Sequence, residues 1–503
     1  MLATVDSCLL VGLEARRIEV QAHIANGQIG FAVVGLAATS IKEARERVRS
    51  AIKNSGLDFP QRRLTVNLAP AELRKEGSAL DLPIAVAIVL AGAGTRPPPR
   101  TAFLGELALD GAVRHVDGVL VAAVGLRKLG FEHIFVPTAD AAEAALADGL
   151  AVTPCASLKA VVNHLIGNEV IAPHVSSGPA VGAEIGNLEH DLTEVHGQEE
   201  GRRALEIAAS GGHHLLLNGP PGAGKTMLAR CLPGILPQLE LGEALEVAQV
   251  RSLLGDLAAS SPLDWSRPFR APHHGVSMAG LIGGGSGLAL PGEISRAHHG
   301  VLFLDELCEF QSPVLQALRQ PLETGRVTIT RSAGSVAYPA RFTLVAATNP
   351  CPCGWAGDAI RSCRCTPGAV DAYQRRLSGP LLDRIDLKVT VRRVRLDTLA
   401  SEPSGESSRE VRGRVIAARR RQLERQGCLN AQLRPARLRT LAGLEPASRR
   451  TLERWADARG LTARGFHRAW RVARTSADLD GAEHIAERHI LEALGYRLQD
   501  VAA

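Results

Sequence analysis

The sequence predicts an α/β fold, and three observations carry that expectation. Gly219-Pro220-Pro221-Gly222-Ala223-Gly224-Lys225-Thr226 follows the apolar run Leu215–Leu217 and precedes a helix-compatible stretch. Val301–Leu304 is a continuous apolar run of strand length, as a strand buried on both faces requires, and it ends in Asp305 and Glu306. Phe342–Thr348 repeats the pattern and ends in Asn349. Polar groups at the ends of buried strands are costly unless they are used.

At 503 residues the chain has room for two to four domains, and composition marks the boundaries. Residues 1–168 read as an α/β unit. There Ile41–Ile52 puts apolar residues on one helical face, Leu64–Leu68 alternates as a half-buried strand, and Asp81–Ala91 is apolar enough for a buried helix. Residues 169–190 form a linker, since Pro, Ser, Gly and Ala dominate between Ile171 and Asn187. The strand-ending motifs fall within 191–395. A second linker, 396–408, holds the polar stretch Ser401–Ser408, and 409–503 is helical.

The glycines of the loop let successive backbone N–H groups wrap a β-phosphate, while Lys225 reaches the β and γ oxygens and the Thr226 hydroxyl ligates Mg²⁺. ATP and Mg²⁺ are therefore the expected cofactors. Asp305 should hold the metal shell opposite Thr226, and Glu306 should polarise the water that attacks the γ-phosphate. Asn349, delivered at the next strand end, can orient the same water. In Leu377–Leu387 one arginine, Arg384, follows an apolar helix end. It is the candidate arginine finger, which stabilises charge on a neighbouring subunit's phosphoryl group and makes turnover depend on ring assembly. Its alternative is a surface pairing with Asp383 or Asp386.

With 45% hydrophobic and 22% charged residues the composition is that of an ordinary globular protein. No apolar run approaches the roughly 18 residues of a membrane-spanning helix. Met1–Cys8 lacks the charged start and long apolar stretch of a signal peptide, so the cytoplasm is the expected compartment. Nine cysteines are then expected as thiols or metal ligands rather than disulfides. Cys351, Cys353, Cys363 and Cys365 form two C-x-C pairs that suit one tetrahedral Zn²⁺, with unligated thiols as the alternative. Net charge is only +6, but arginines crowd the last fifth, from Arg409 through Arg425 to Arg450. That run suits either DNA phosphates or solvated helix faces. Aromatic residues at 3% exclude a base-stacking platform, leaving phosphate contact as the route to nucleic acid.

Longer runs carry a family resemblance: Arg267–His274, Gly283–Gly285, Pro291–Ser295, His298–Glu306, Leu318–Glu323 and Asn349–Gly354. Over nearly its whole length the chain resembles the YifB/ComM family of magnesium-chelatase-like AAA+ ATPases. The resemblance implies an N-terminal Lon-protease-like α/β domain and a central AAA+ P-loop NTPase core. That core would carry a helix-2 insert and a hairpin before the first sensor, and a C-terminal α-helical lid would follow. In this clade, which is also similar to the replicative MCM helicases, insert and hairpin line the pore of a ring. Gly280–Gly287 suits the insert's mobile tip, and Val327–Tyr338 suits the hairpin. Arg331 then lies near the hairpin tip, where a cation can grip a DNA phosphate; an ordinary exposed arginine is the alternative.

Asn349 matches the first sensor, and Arg464 the second, within Leu461–Arg474. Arg471 or Arg474 can instead pair with Asp478 or Asp480. A Lon-type protease needs a serine activated by a lysine. Here the loop Lys75–Pro83 around Ser78 is altered and Leu120 stands at the lysine position, so the front domain reads as a catalytically inactive collar. The function implied is a homo-hexameric DNA translocase, driven by Mg-ATP, that migrates branched DNA and binds single and double strands. It would serve natural transformation and homologous recombination, beside recombination proteins and away from membranes. An ATPase subunit of a metal chelatase and a nucleotide-gated scaffold are the other readings.

Overall fold

The computed structural model describes residues 1–35, 38–73, 75, 77–175, 190–257, 263–285, 289–331, 334–358, 360–377, 379–394 and 405–497. Parts of both expected linkers (176–189 and 396–404), of the insert tip (286–287) and of the hairpin turn (332–333) lie outside the described residues.

The first unit is built on a mixed seven-stranded sheet. Its strands are β1 (Leu2–Val11), β2 (Glu14–Ala25), β3 (Gly30–Val34), β4 (Arg63–Ala69) and β5 (Thr101–Phe103). After a side hairpin of β6 (Glu106–Leu107) and β7 (Val113–Arg114) come β8 (His133–Pro137) and β9 (Ala151–Cys155). The order is β3-β4-β2-β1-β5-β8-β9. Leu64, Val66 and Leu68 of β4 are buried while Thr65 and Asn67 between them keep contact with solvent, the alternation read from the sequence. They share a core with the helix Asp81–Ala93, which is apolar on all sides.

The second unit is an all-parallel sheet of β10 (Leu215–Asn218), β11 (Phe269–Arg270), β14 (Val301–Leu304), β17 (Thr343–Thr348) and β18 (Leu387–Thr390), in the order β11-β14-β17-β10-β18. Two small antiparallel hairpins, β12–β13 (Gly283–Gly284 with Leu290–Pro291) and β15–β16 (Arg326–Arg331 with Gly334–Pro339), stand beside it. Both faces of the sheet are covered, which explains the unbroken apolar runs. Leu215 and Leu217 face the helices Glu199–Gly211 and Lys225–Ile235, while Leu216, Leu302 and Leu304 face the hairpins and the short helices around them. Each such leucine contributes roughly 2 kcal/mol through burial.

The expected insert is a helix broken in two. Met278–Ile282 and Glu293–Arg296 flank β12–β13 between β11 and β14. Gly280, expected in a loop tip, is helical instead: the Ser277 hydroxyl caps the turn by accepting from the Gly280 N–H at 3.0 Å, and Leu281 is buried. The sequence reading overlooked this N-cap.

The helical C-terminal unit shares its core with the sheet, through Val411, Val415, Trp470 and their neighbours. Its arginine run is largely engaged within the chain. Arg412 donates to the Gly234 carbonyl, Arg419 to the Ala209 carbonyl at 2.7 Å, Arg414 pairs with Glu206 at 2.6 Å, and Arg425 pairs with Asp478 at 2.6 Å. Neither expectation for this run, DNA phosphates or solvated faces, describes these four; they join lid to core or brace the lid itself.

The front unit docks on the central one at two places. Leu120 and Val124 pack against Ala244, Val247 and Ala248 of the helix Leu241–Leu253. The β1–β2 turn at Gly12 abuts Val336 and Tyr338 of β16, with Val11 and Leu13 in the same apolar cluster. Among the described residues, no helix is long and apolar enough to cross a membrane.

Candidate nucleotide and metal sites

The phosphate loop leaves the carboxyl end of β10, and the helix Lys225–Ile235 begins as it closes. Gly222 and Gly224 take φ of +74° and +91°, conformations that side chains with a Cβ avoid, and the turn depends on them. Lys225 is buried, and burial lowers its pKa from the ordinary lysine value. Its ammonium is satisfied by the loop and by the end of β17, donating to Gly219 O at 2.6 Å, Pro220 O at 3.0 Å and Asn349 Oδ1 at 3.1 Å. A phosphate can take over those donors, and Asn349 is thereby held beside the loop.

The Thr226 hydroxyl donates to Asp305 Oδ2 at 2.8 Å. Adjacent ligands of an octahedral Mg²⁺ at 2.0–2.1 Å are about 2.9 Å apart, so these two oxygens fit neighbouring positions on one ion. Glu306 follows on the tight turn after β14, its N–H donating to Asp305 Oδ1 at 2.9 Å. The structure thus brings together Lys225, Thr226, Asp305, Glu306 and Asn349 from three neighbouring strand ends.

One participant was missed by the sequence reading. His274, just beyond β11, has Nδ1 3.4 Å from Glu306 Oε2. The paired histidines His273 and His274 at the end of a motif were a visible signal, but nothing in their spacing named the partner.

Arg384 and Arg464 are not at this site. Arg384 precedes β18, whose Leu387 pairs with Leu215 at the start of β10, whereas the phosphate loop follows Asn218 at the far end. Arg384 is buried and pairs with Glu323, not with Asp383 or Asp386. Arg464 approaches the same Glu323 carboxylate at 3.8 Å. Asp386 is engaged by Arg468 at 2.8 Å and His213 at 3.3 Å, and Arg474 pairs with Asp478 at 2.9 Å. Arg331 ends β15, exposed, alongside Gly284 of the insert.

The four cysteines converge. Sulfur separations are 3.4 Å for Cys351–Cys353 and 3.6 Å for both Cys351–Cys363 and Cys353–Cys363, with Cys365 in the same cluster, all sulfurs within 4.8 Å. A Zn–S bond of 2.3 Å implies tetrahedron edges of about 3.8 Å, while a disulfide would need about 2.05 Å. Backbone N–H groups of Arg364 and Trp355 pull the Cys353 thiol down to about 6, while partial burial and the neighbouring thiols push Cys363 and Cys365 up, so without an ion the cluster favours one thiolate rather than four.

A second cluster, Glu246 with His298 and His299, is hydrogen-bonded rather than ligand-like. His298 Nδ1 accepts from the Arg341 N–H at 3.0 Å, so its proton sits on Nε2, where it donates to Glu246 at 2.8 Å and leaves no lone pair for a metal.

In the front unit, Ser78 donates to Glu106 and Lys75 donates to the carbonyls of Pro70 and Leu73. The two do not bond to each other. Leu120, at the position the resemblance assigns to a lysine, is buried against the helix Leu241–Leu253.

Three family descriptions divide the chain: "Subunit ChlI of Mg-chelatase" over residues 20–140, "Magnesium chelatase, subunit ChlI" over 191–399, and "Magnesium chelatase, subunit ChlI C-terminal" over 405–497. Fold and site together define a magnesium-chelatase-type AAA+ ATPase, a class that uses ATP and Mg²⁺. The uncharacterised protein YifB of Escherichia coli is 44% identical over 99% of this chain and 97% of its own length. Competence protein ComM of Haemophilus influenzae is 42% identical over the same shares. The magnesium-chelatase 38 kDa subunit of Cereibacter sphaeroides is 25% identical over 60% of this chain and 90% of its own. The chain belongs to the YifB/ComM family.

Proposed function

We propose that the chain is the protomer of a hexameric, Mg-ATP-driven DNA translocase that migrates branched DNA in the cytoplasm during natural transformation and homologous recombination. The position of Arg384 carries the ring reading. Three strand steps, about 10 Å, separate its end of the sheet from the phosphate loop. The guanidinium therefore cannot serve its own γ-phosphate and acts on a neighbour's, and Arg464, sharing Glu323 with it, acts from the same side. Within each protomer Thr226 and Asp305 hold Mg²⁺, Lys225 binds the β and γ oxygens, and Glu306 with Asn349 aims the water. Arg331 faces the pore and grips DNA phosphates as the hairpin moves. Cys351, Cys353, Cys363 and Cys365 hold one structural Zn²⁺, and the front domain is an inactive collar.

Competence, in the name of the Haemophilus relative, supports the biological setting, and its match over the whole chain supports it over a chelatase subunit matched over 60%. Labelled four-way and three-stranded DNA incubated with protein and ATP tests the reading. Strand displacement and DNA-stimulated turnover are expected, with Arg331→Ala lowering the stimulation in intact rings. Glu306→Gln should retain ATP binding and trap assembled rings, whereas Lys225→Ala should lose binding. Turnover that ignores DNA, without displacement, rejects the translocase and favours the chelatase-type alternative.

A further inference from the structure

Building on the zinc reading above, we propose that the four-cysteine loop is a metal-held brace for the phosphate loop, so that zinc occupancy sets nucleotide affinity. Only Pro350 separates Asn349 from Cys351, so the first thiolate is tied almost directly to the residue that touches Lys225. The knuckle turns at Gly354, whose N–H donates to Cys351 O at 2.9 Å. Gly354 has φ +81°, and a Cβ there would stand 2.5 Å from Pro221 Cδ and 2.7 Å from Pro221 Cγ. The knuckle thus lies directly against the second proline of the phosphate loop.

The far side of the loop is anchored as well. Gln374 donates to Pro350 O at 3.2 Å, and the Trp355 ring takes the Arg361 guanidinium at 4.7 Å and that of Arg393 at 5.2 Å. Next to Arg393, the Arg392 carbonyl accepts from Gln198 Nε2 at 2.5 Å, and the same amide reaches Ala223 O of the phosphate loop at 2.9 Å. Knuckle, strand exit and phosphate loop form one closed circuit.

Burial cannot hold this circuit shut. Among the described residues of 351–366 only Cys351 and Gly354 are buried, so little apolar area opposes the entropy of ordering the segment. Four thiolates on one ion supply what packing does not. With the ion in place, Pro221 and Asn349 are fixed before nucleotide arrives, and binding no longer has to order them. Without it, the knuckle relaxes and the phosphate loop loses its backing.

The test uses full-length protein purified without a histidine tag. Zinc per chain is measured by mass spectrometry, and affinity for a fluorescent ATP analogue is titrated in excess Mg²⁺. The titration is done before and after a zinc-selective chelator and again after zinc is restored. About one zinc per chain is expected, with stripping weakening nucleotide binding about tenfold and restoration reversing it. Gly354→Ala keeps all four sulfurs while pushing on Pro221; it should retain zinc and bind nucleotide about tenfold more weakly. Cys353→Ser should lose both together, and if it fails to fold the strip-and-restore titration of the parent protein decides. Less than about half an equivalent of zinc overturns the metal reading itself. Full zinc, with affinity unchanged by stripping and by Gly354→Ala, leaves the metal in place and overturns the brace.

Discussion

Glu306 takes φ +51°, a left-handed backbone that costs a residue with a Cβ on the order of 1 kcal/mol. The turn is nonetheless held, since the Glu306 N–H donates to Asp305 and its carbonyl accepts from the Glu309 N–H at 2.7 Å. Only the side chain keeps freedom, and His274 at 3.4 Å restrains it. His274 in turn leans on His273 and Phe310, and it precedes Ser277, the cap of the insert helix, by three residues. His274→Ala should lower kcat by about ten- to a hundredfold with KM for ATP unchanged, because only aim is lost. His274→Asn, which keeps a polar contact, should recover part of it; steady-state kinetics decide, and an unchanged kcat would remove His274 from the machinery. The contiguous motifs around Lys225, Asp305 and Asn349 were legible in the sequence because each is a local pattern with a local reason. His274 with Glu306, and Glu323 with Arg384, were not, because each contact joins segments that only the folded sheet brings together.

At the level of elements, His214 staples the central sheet. Its Nδ1 accepts from the Leu344 N–H at 3.0 Å, and its carbonyl accepts from the Asp386 and Leu387 N–H groups at 3.1 Å, tying the starts of β17 and β18 to β10. Burial lowers the ring's pKa from 6.5 to about 4, against an opposing pull from Asp386. The fold thus favours the neutral ring. Its contribution is complete above the unfolded pKa near 6.5 and is lost as pH falls through 4. A shift of this size is worth at most roughly 3 kcal/mol, and less for a ring that keeps some contact with water. His214→Asn retains an acceptor for Leu344 but cannot titrate. Thermal unfolding followed from pH 6.5 to 4 should show a smaller fall in Tm for the variant than for the parent; equal falls would show that His214 carries none of the acid sensitivity. Strands β10, β14 and β17 were read because both faces of the sheet are covered and their runs are unbroken, whereas β11 and β18, short and carrying Arg270 and Lys388, were not. The alternation of Val327, Ile329, Val336 and Tyr338, all buried, made the hairpin equally plain. The insert helix was hidden because Gly280 and its neighbours argue for a loop, and only the Ser277 cap and the burial of Leu281 override them.

For the whole molecule, the proposed shared site rests on one placement: the phosphate loop and Arg384 lie at opposite ends of the neighbouring strands β10 and β18. Thr226 and Asp305 meet beside Lys225 at one end, while at the other Arg384 pairs with Glu323 and Arg464 approaches the same carboxylate. Glu323 lies on the helix Arg319–Thr324, whose chain continues into β15, so the acceptor that holds both arginines also begins the arm of the hairpin that ends at Arg331. Two inactive proteins should then complement each other. Lys225→Ala lacks phosphate binding but keeps its arginines, and Arg384→Ala has the reverse defect. In an equal mixture half of the phosphate loops are intact and half of their neighbours carry the arginine, so about a quarter of wild-type turnover should return. Turnover measured across mixing ratios should peak near equal proportions. A mixture no more active than its components would mean that Arg384 serves its own chain or none, and the assembly-dependent site would have to be abandoned.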